Sequence, residues 1–258
     1  MQKKQYKYIY GPVPSWRLGS SLGIDPVSMD EKICTFDCTY CQLWKTKNFC
    51  KKRSVFVPVK KIIDELKTLP DIEIDYITFS GVAEPTLAKN IGKMIKETKK
   101  MMNKKIAVLT NSTLLDRNDV QNDLLQADLV VAKLDAASQD VFEKINRPMD
   151  EFKLENIIQA IYDFRSIFNG KLALQIMFLE DNKHQAEEIA EIAKKIKPDE
   201  VQINTPLRPC EVEPLGEKEM KQISKCFKGM NVINVYEKEK KEVSSLSDED
   251  TLRRRGKI

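Results

Sequence analysis

The stretch "IDYITFSGVAEPTLAKNIGKMIKETKKMMNKKIAVLT", residues 74–110, decides the fold. It opens on a short run rich in β-branched and aromatic residues (74–80) and turns through Gly81 and Pro85. Apolar residues then recur at helical spacing over 90–102, and a second β-rich run closes it at 105–110. Strand, helix and strand in that order make a βαβ unit, and right-handed repetition of the unit curls its strands into a full or partial barrel. The unit repeats. Apolar runs at 21–27, 127–135, 171–179 and 200–205 read as further strands, and amphipathic stretches at 57–69, 117–126, 155–168 and 185–196 as further helices. The expected fold is α/β, a partial (β/α)6 TIM-like barrel with parallel strands, in one core domain over 1–235 that includes the N-terminal YGPVPS segment. A flat doubly wound sheet is the alternative. Residues 236–258, "YEKEKKEVSSLSDEDTLRRRGKI", are dense in charge and poor in apolar residues, which predicts a charged C-terminal tail or, as second choice, a terminal helix.

Composition narrows the function classes. With 258 residues, 41% hydrophobic and 32% charged, the chain can bury a sizeable core. Its net charge of +4, from 43 basic and 39 acidic residues, does not by itself predict nucleic-acid binding. The start "MQKKQYKYIY" has no apolar signal-like region, and no stretch approaches the roughly 18 apolar residues a membrane span requires. The chain is therefore expected to be cytoplasmic and not membrane-bound. Six cysteines are too few and too unevenly spaced to staple it, which leaves reduced thiols available as metal ligands.

Three of them fall in "ICTFDCTYCQLW", residues 33–44, where Cys34, Cys38 and Cys41 make C-x3-C-x2-C after the first strand. A closed zinc site takes four ligands, so zinc would need a fourth such as Cys50. An iron–sulfur cluster held by three thiolates instead leaves one iron open. Cys50, Cys210 and Cys226 are isolated and read as small buried hydrophobes, with Cys210 the first candidate for an exception.

This triad, with Tyr40 immediately before its third cysteine, resembles the signature of the radical S-adenosylmethionine (SAM) superfamily. The resemblance implies a [4Fe–4S] cluster on Cys34, Cys38 and Cys41, with the amino and carboxylate groups of SAM on the fourth iron. It also implies an electron donor such as flavodoxin or ferredoxin, and reductive cleavage of SAM to a 5′-deoxyadenosyl radical that abstracts hydrogen from a substrate. Tyr40 is placed against the adenine. Gly81 and Glu84 match the superfamily's glycine-rich stretch that ends in an acidic residue and holds the methionine amino group, although this chain reads G-V-A-E where many members read G-x-G-E.

Other strand ends carry polar groups suited to the same nucleoside: Asn111, Ser112 and Thr113 after the third strand, Lys133 and Asp135 after the fourth. Gln175 and Asn204, polar residues in apolar strands, are expected to line the cofactor cavity. Arg17, Arg147 and Arg208 are candidates for gripping an anionic part of the substrate, with a surface or strand-end ion pair the alternative for Arg17 and Arg147.

The segments "YGPVPSWRLGSSLGIDP", "CTYCQL", "EPTL", "KLDAAS", "FEKINRP" and "VQINTPLRP" extend the resemblance over residues 8–210, to a compact subgroup related to wyosine-type (4-demethylwyosine synthase-like) tRNA-modifying enzymes. Trp16 stands where that subgroup commonly has arginine. No cysteine precedes Cys34 to hold the second cluster of wyosine chemistry. A tRNA nucleoside is thus one candidate substrate. The run Lys45, Lys47, Lys51, Lys52 and Arg53, interleaved with Trp44 and Phe49, is either an RNA surface or a solvated face. The single histidine, His184, offers no support for a histidine-based site. The competing class is a non-catalytic zinc-binding or interaction protein using Cys34, Cys38, Cys41 and Cys50.

Overall fold

The structure, a computed structural model, describes residues 5–239 and 241–255. Residue 240 and residues 256–258 of the charged terminal segment, like residues 1–4 of the core, lie outside the described residues.

In chain order the elements begin with β1 (Ile9–Ser15), β2 (Gly19–Ile24), β3 (Ile33–Cys34), β4 (Asn48–Phe49), α1 (Val59–Leu66), β5 (Tyr76–Phe79), α2 (Ile91–Met102) and β6 (Lys105–Thr110). They continue with α3 (Asn118–Leu124), β7 (Leu129–Lys133), α4 (Gln139–Asn146), α5 (Leu154–Ile167), β8 (Lys171–Met177) and α6 (Ala186–Ile196). The last are β9 (Glu200–Asn204), α7 (Glu217–Cys226), β10 (Val232–Asn234) and α8 (Asp248–Arg255).

Eight strands form one open sheet in the order β1-β2-β5-β6-β7-β8-β9-β10, parallel except where β1 pairs antiparallel with β2. This is the expected partial barrel, enlarged by a strand at each edge. All six expected strands form, and so do all five expected helices. β1 reads poorly as a strand because "IYGPVPS" contains two prolines and a glycine, a composition tolerated at a sheet edge.

Alternation along the parallel strands sorts the side chains into two sets. Ile106, Val108, Val130, Ala132, Leu172, Leu174, Val201 and Ile203 join the large core with the helix residues Ile62, Ile91, Ile161 and Ile189. Their neighbours Ala107, Leu129, Val131 and Ala173 meet Leu18 in a small apolar plug inside the barrel. Toward the carboxyl ends of the strands, the same inner row becomes Leu109, Gln175, Met177 and Asn204 and lines a cavity. Among the described residues, no helix is long and apolar enough to cross a membrane.

The terminal segment forms its helix and covers the exposed edge of β1. Thr251 Oγ1 accepts from Gly11 N at 3.1 Å, Leu246 N donates to Gly11 O at 2.7 Å, and Asp250 accepts from Tyr6 N at 3.0 Å. Covering an edge strand in this way removes a template for pairing with other chains. Arg254 lies beside the Asp25 carboxylate at 3.4 Å, both side chains 1% exposed.

Arg53, part of the basic run, is internal. Its Nε donates to Thr86 O at 2.8 Å, its Nη2 to Ala88 O at 3.1 Å, and it pairs with Asp119 at 2.8 Å and with Asp123. It joins the loop after β5 to α3. Removing a buried charge partner costs about 3–5 kcal/mol, so Arg53→Met is expected to lower stability by about 3 kcal/mol, read as a fall in the urea midpoint. An unchanged midpoint would show the pairing to be of no consequence.

Candidate functional site

The cysteine loop sits on the carboxyl end of α4. The backbone N–H of Thr39 donates to Ile145 O at 2.9 Å, and that of Asp37 to Asn146 O at 3.0 Å and Arg147 O at 3.1 Å. The loop thereby satisfies carbonyls that a helix end leaves without partners. Phe36 packs edge-on against Phe142 of the same helix at 5.3 Å. Within the loop, Cys41 N donates to Cys38 O at 3.0 Å and Trp44 N to Cys41 O at 2.9 Å. Cys38 and Cys41 therefore share one tight turn, and Cys34 precedes it at the end of β3.

All three are free and half-buried. Burial, with the nearby Glu84 carboxylate, pushes the Cys34 thiol up to about 12. Burial and Cys41 push Cys38 up to about 11, against hydrogen bonds from Asn146 and Tyr40. Ionising thiols in this setting requires a cation, and metal coordination deprotonates a thiol outright. Two amides are already aimed at the sulfurs: Asn111 Nδ2 stands 3.5 Å from Cys34 Sγ, and Asn146 Nδ2 stands 3.5 Å from Cys38 Sγ. Lys32 adds positive charge. Burial opposes its ammonium, but the negative charge of Cys41, Cys34 and Cys38 as thiolates outweighs this and raises its pKa. The donor set therefore fits an iron–sulfur cluster.

The zinc arrangement fits poorly. Among the described residues, no three His, Cys, Asp or Glu side chains gather about one metal-sized point. Cys50 follows β4 next to Cys34, with its backbone N–H on Cys34 O at 3.1 Å, but its thiol faces Lys52 O at 3.5 Å. Cys210 turns its thiol to Val212 O at 3.1 Å, while the N–H of Glu211 reaches Thr39 O in the cysteine loop at 3.2 Å. Cys226 lies apart, on α7. His184 is exposed.

Beside Cys41 opens a cavity of about 330 Å³, the lower end of the range for small-molecule sites. Tyr40, Gly81, Gln175 and Asn204 line it, as do Arg17 and Arg208. At Gly81 a Cβ would fall 2.3 Å from the Asp25 carboxylate carbon, so only glycine leaves this wall in place.

Glu84, Asn111 and Asp135, expected at the cofactor, stand behind the wall with their polar atoms engaged by protein. The Glu84 carboxylate accepts from Thr86 N at 3.1 Å, Thr86 Oγ1 and Thr110 Oγ1 at 2.7 Å each, and Asn111 N at 2.8 Å. Burial raises its pKa against those bonds. Asn111 donates to Thr35 Oγ1 at 2.7 Å and accepts from Thr113 N at 3.1 Å. Asp135 is out of solvent entirely. It accepts from Tyr40 OH, from Asn146 Nδ2 at 2.9 Å and from Met177 N at 2.8 Å, with Lys133 Nζ at 3.7 Å. Lys133 also lies 4.6 Å over the Tyr40 ring.

Arg147 departs from its expected place. It follows α4 outside the cavity and is paired with Glu211 at 2.9 Å and with Asp37 at 3.9 Å, so its charge is answered there. The basic run likewise loses much of its free charge: Lys47 pairs with Glu31 at 2.8 Å and Lys51 with Glu151 at 2.7 Å. Trp44 and Phe49 remain exposed. Residues the sequence did not flag are Lys32, Gln42 and Asn146. Asn146 lies within "FEKINRP", but an asparagine near a helix end gives no signal of what it faces.

Residues 32–196 match the family model "Radical SAM superfamily". The chain is 39% identical over 243 residues to a UPF0026 protein of Synechocystis sp., covering 89% of this chain and 91% of that one. In fold it is similar to Streptococcus suis SuiB bound to S-adenosylmethionine, with a TM-score of 0.62 at 13% identity over 80% of this chain and 48% of that one. It is also similar to TYW1 with a lysine-pyruvate adduct bound, with a TM-score of 0.60 at 14% identity over 82% of this chain and 74% of that one. The cysteine triad, the half-barrel around its cavity and these matches make the chain a radical SAM enzyme, a member of the superfamily whose proteins bind a [4Fe–4S] cluster and SAM.

Proposed function

We propose that Cys34, Cys38 and Cys41 hold the cluster, that SAM lies in the adjoining cavity, and that the radical made from it abstracts hydrogen from a substrate bound deeper in the same cavity. The observation that supports this reading is the opening of one cavity onto both Cys41 and the polar inner ends of β8 and β9, where Gln175 and Asn204 stand. When bound, the cluster supplies the electron that cleaves the sulfonium carbon–sulfur bond, giving methionine and a 5′-deoxyadenosyl radical. A small redox protein such as flavodoxin or ferredoxin delivers that electron.

The chain's own residues position and exclude. Tyr40, buried and tied to Asp135 and Asn146, offers a fixed aromatic face to the adenine. Glu84 acts through the loop it bonds, fixing Gly81 and Asn111 around the methionine end of SAM. Gln175 and Asn204 supply hydrogen bonds to the nucleoside. A tRNA nucleoside is one candidate substrate. The resemblance to wyosine-type enzymes and the exposed Trp44 and Phe49 favour it, whereas the ion pairs of Lys47 and Lys51 and the burial of Arg53 reduce the free basic surface.

Anaerobic reconstitution tests the cluster assignment. About four iron and four sulfide per chain are expected, with absorption that bleaches on dithionite. Cys38→Ala is expected to abolish assembly and Cys50→Ala to leave it intact. One zinc per chain without sulfide would overturn the assignment.

Glu84→Gln is expected to retain the cluster and weaken SAM binding about tenfold, because an amide places donors where the loop supplies donors. Unchanged SAM affinity would remove Glu84 from the site.

Asn146→Ala deletes the amide facing Cys38. A hydrogen bond to sulfur favours the more negative reduced state, so losing about 1 kcal/mol is expected to make the cluster potential about 40 mV more negative. A potentiometric titration with no shift would separate Asn146 from the cluster.

A further inference from the structure

The cavity has a feature that SAM chemistry leaves unused. Four arginines line it, Arg17, Arg208, Arg254 and Arg255, and among the described residues no aspartate or glutamate does. Arg254 is balanced by Asp25 at 3.4 Å. Among the described residues, no carboxylate pairs with the other three in this way. They converge from separate parts of the chain: the β1–β2 turn, the loop after β9, and the end of α8.

The Nε of Arg17 is buried with no hydrogen-bond partner, and its Nη1 has only a long 3.5 Å contact to the Gln202 amide oxygen. The nearest acid acting on it is Glu200, whose carboxylate already takes the Gln202 amide at 2.8 Å. Arg208 meets neutral acceptors, Gln42 Oε1 at 3.1 Å and Arg255 O at 3.0 Å. Burial, together with the charges of Arg255 and Arg208, brings Arg17 down to about 10, and burial with Arg255 brings Arg208 down to about 10. At neutral pH all three remain charged. Their mutual repulsion and the orphaned Nε are therefore costs that the protein alone does not offset.

A carboxylate would present one charge and two oxygens to three guanidinium forks. A phosphate presents up to two charges and more oxygens, and guanidinium groups grip it bidentately. SAM, with a sulfonium, an ammonium and one carboxylate, is a net cation, and in the proposed binding mode its carboxylate is committed to the iron rather than to such a cluster. Building on the proposed radical chemistry, we infer that Arg17, Arg208 and Arg255 form the receiving site for a phosphate group carried by the substrate. Gln42 ties this site to the cysteine loop, since it follows Cys41 directly and accepts from Arg208. The substrate is thereby anchored by its phosphate in the space that also borders Tyr40 and Cys41.

The test uses the full chain with its cluster reconstituted. Inorganic phosphate, pyrophosphate, a nucleoside 5′-monophosphate, bulk tRNA and acetate are titrated at constant ionic strength, with iron, sulfide and SAM affinity measured on the same samples. Saturable phosphate binding that acetate does not compete away is expected. Arg17→Gln, Arg208→Gln and Arg255→Gln are each expected to weaken it about tenfold or more. Arg147→Gln, outside the cavity, is the surface-charge control and is expected to leave it unchanged. Arg17→Lys, which keeps the charge and removes the fork, is expected to weaken it less than Arg17→Gln, and it serves where the glutamine variant fails to fold.

Binding by the mononucleotide in the range of phosphate itself assigns a small phosphorylated substrate, whereas displacement of phosphate by far lower tRNA concentrations assigns a phosphodiester chain. Either outcome supports the site. No binding beyond that of acetate overturns it, as does equal loss in Arg147→Gln or a loss of SAM affinity as large as the loss for phosphate. A chain that takes up no cluster yet binds phosphate through these arginines would sink the radical reading and leave this site standing. The converse result would sink this site alone.

Discussion

The carboxylate of Asp135 constrains the whole site. A carboxylate out of water costs several kcal/mol unless paired and hydrogen-bonded, and this one has no solvent exposure in its side chain. Its acceptors are met by Tyr40 from the cysteine loop, Asn146 from α4 and the Met177 backbone at the end of β8, with Lys133 of β7 nearby. Four parts of the chain must therefore meet at one point. Once α4 is held there, its terminal carbonyls receive the N–H groups of Asp37 and Thr39, and the loop bearing the cysteines has one place to lie.

Burial explains which elements were legible in the sequence. Strands β6 to β8 have core on one face and an apolar barrel interior on the other, so they read as nearly continuous apolar runs, whereas β9 alternates Val201 and Ile203 toward the core with Gln202 and Asn204. β1 was not legible, because an edge strand accommodates Pro12 and Pro14, and β10 has only three residues. The cysteine triad was legible because ligand spacing is a local property. Asn146 was not, since its role depends on a sulfur 108 positions earlier in the chain. The ion-pair partners of Arg53 and Arg147, namely Asp119, Asp123 and Glu211, are equally remote in the chain, so the sequence could not name them.

Glu84 and Asp135 show a different limit. Both are expected from sequence at the cofactor, Glu84 at the methionine amino group and Asp135 at the nucleoside, whereas the fold supplies their hydrogen-bond partners from the protein itself. An acidic side chain that binds a ligand directly and one that shapes the ligand's wall have the same local sequence. What separates them is whether any lone pair remains, and only the hydrogen-bond geometry reveals that.

The terminal helix brings these threads together. Consecutive residues on a helix point about 100° apart, so fixing one sets the direction of the next. Arg254 is fixed: its guanidinium is buried beside Asp25 and also reaches Lys7 O and Ser28 Oγ. Thr251, a turn earlier, is fastened to Gly11 of β1. With those two contacts made, α8 has little freedom to rotate, and Arg255 comes to the cavity wall beside Arg208. The charge-rich composition that made this segment read as a tail is what the position requires. Of its cations, Arg254 answers the buried Asp25 carboxylate and Arg255 brings charge to the cavity wall, while Leu246 and Thr251 hold the edge of β1.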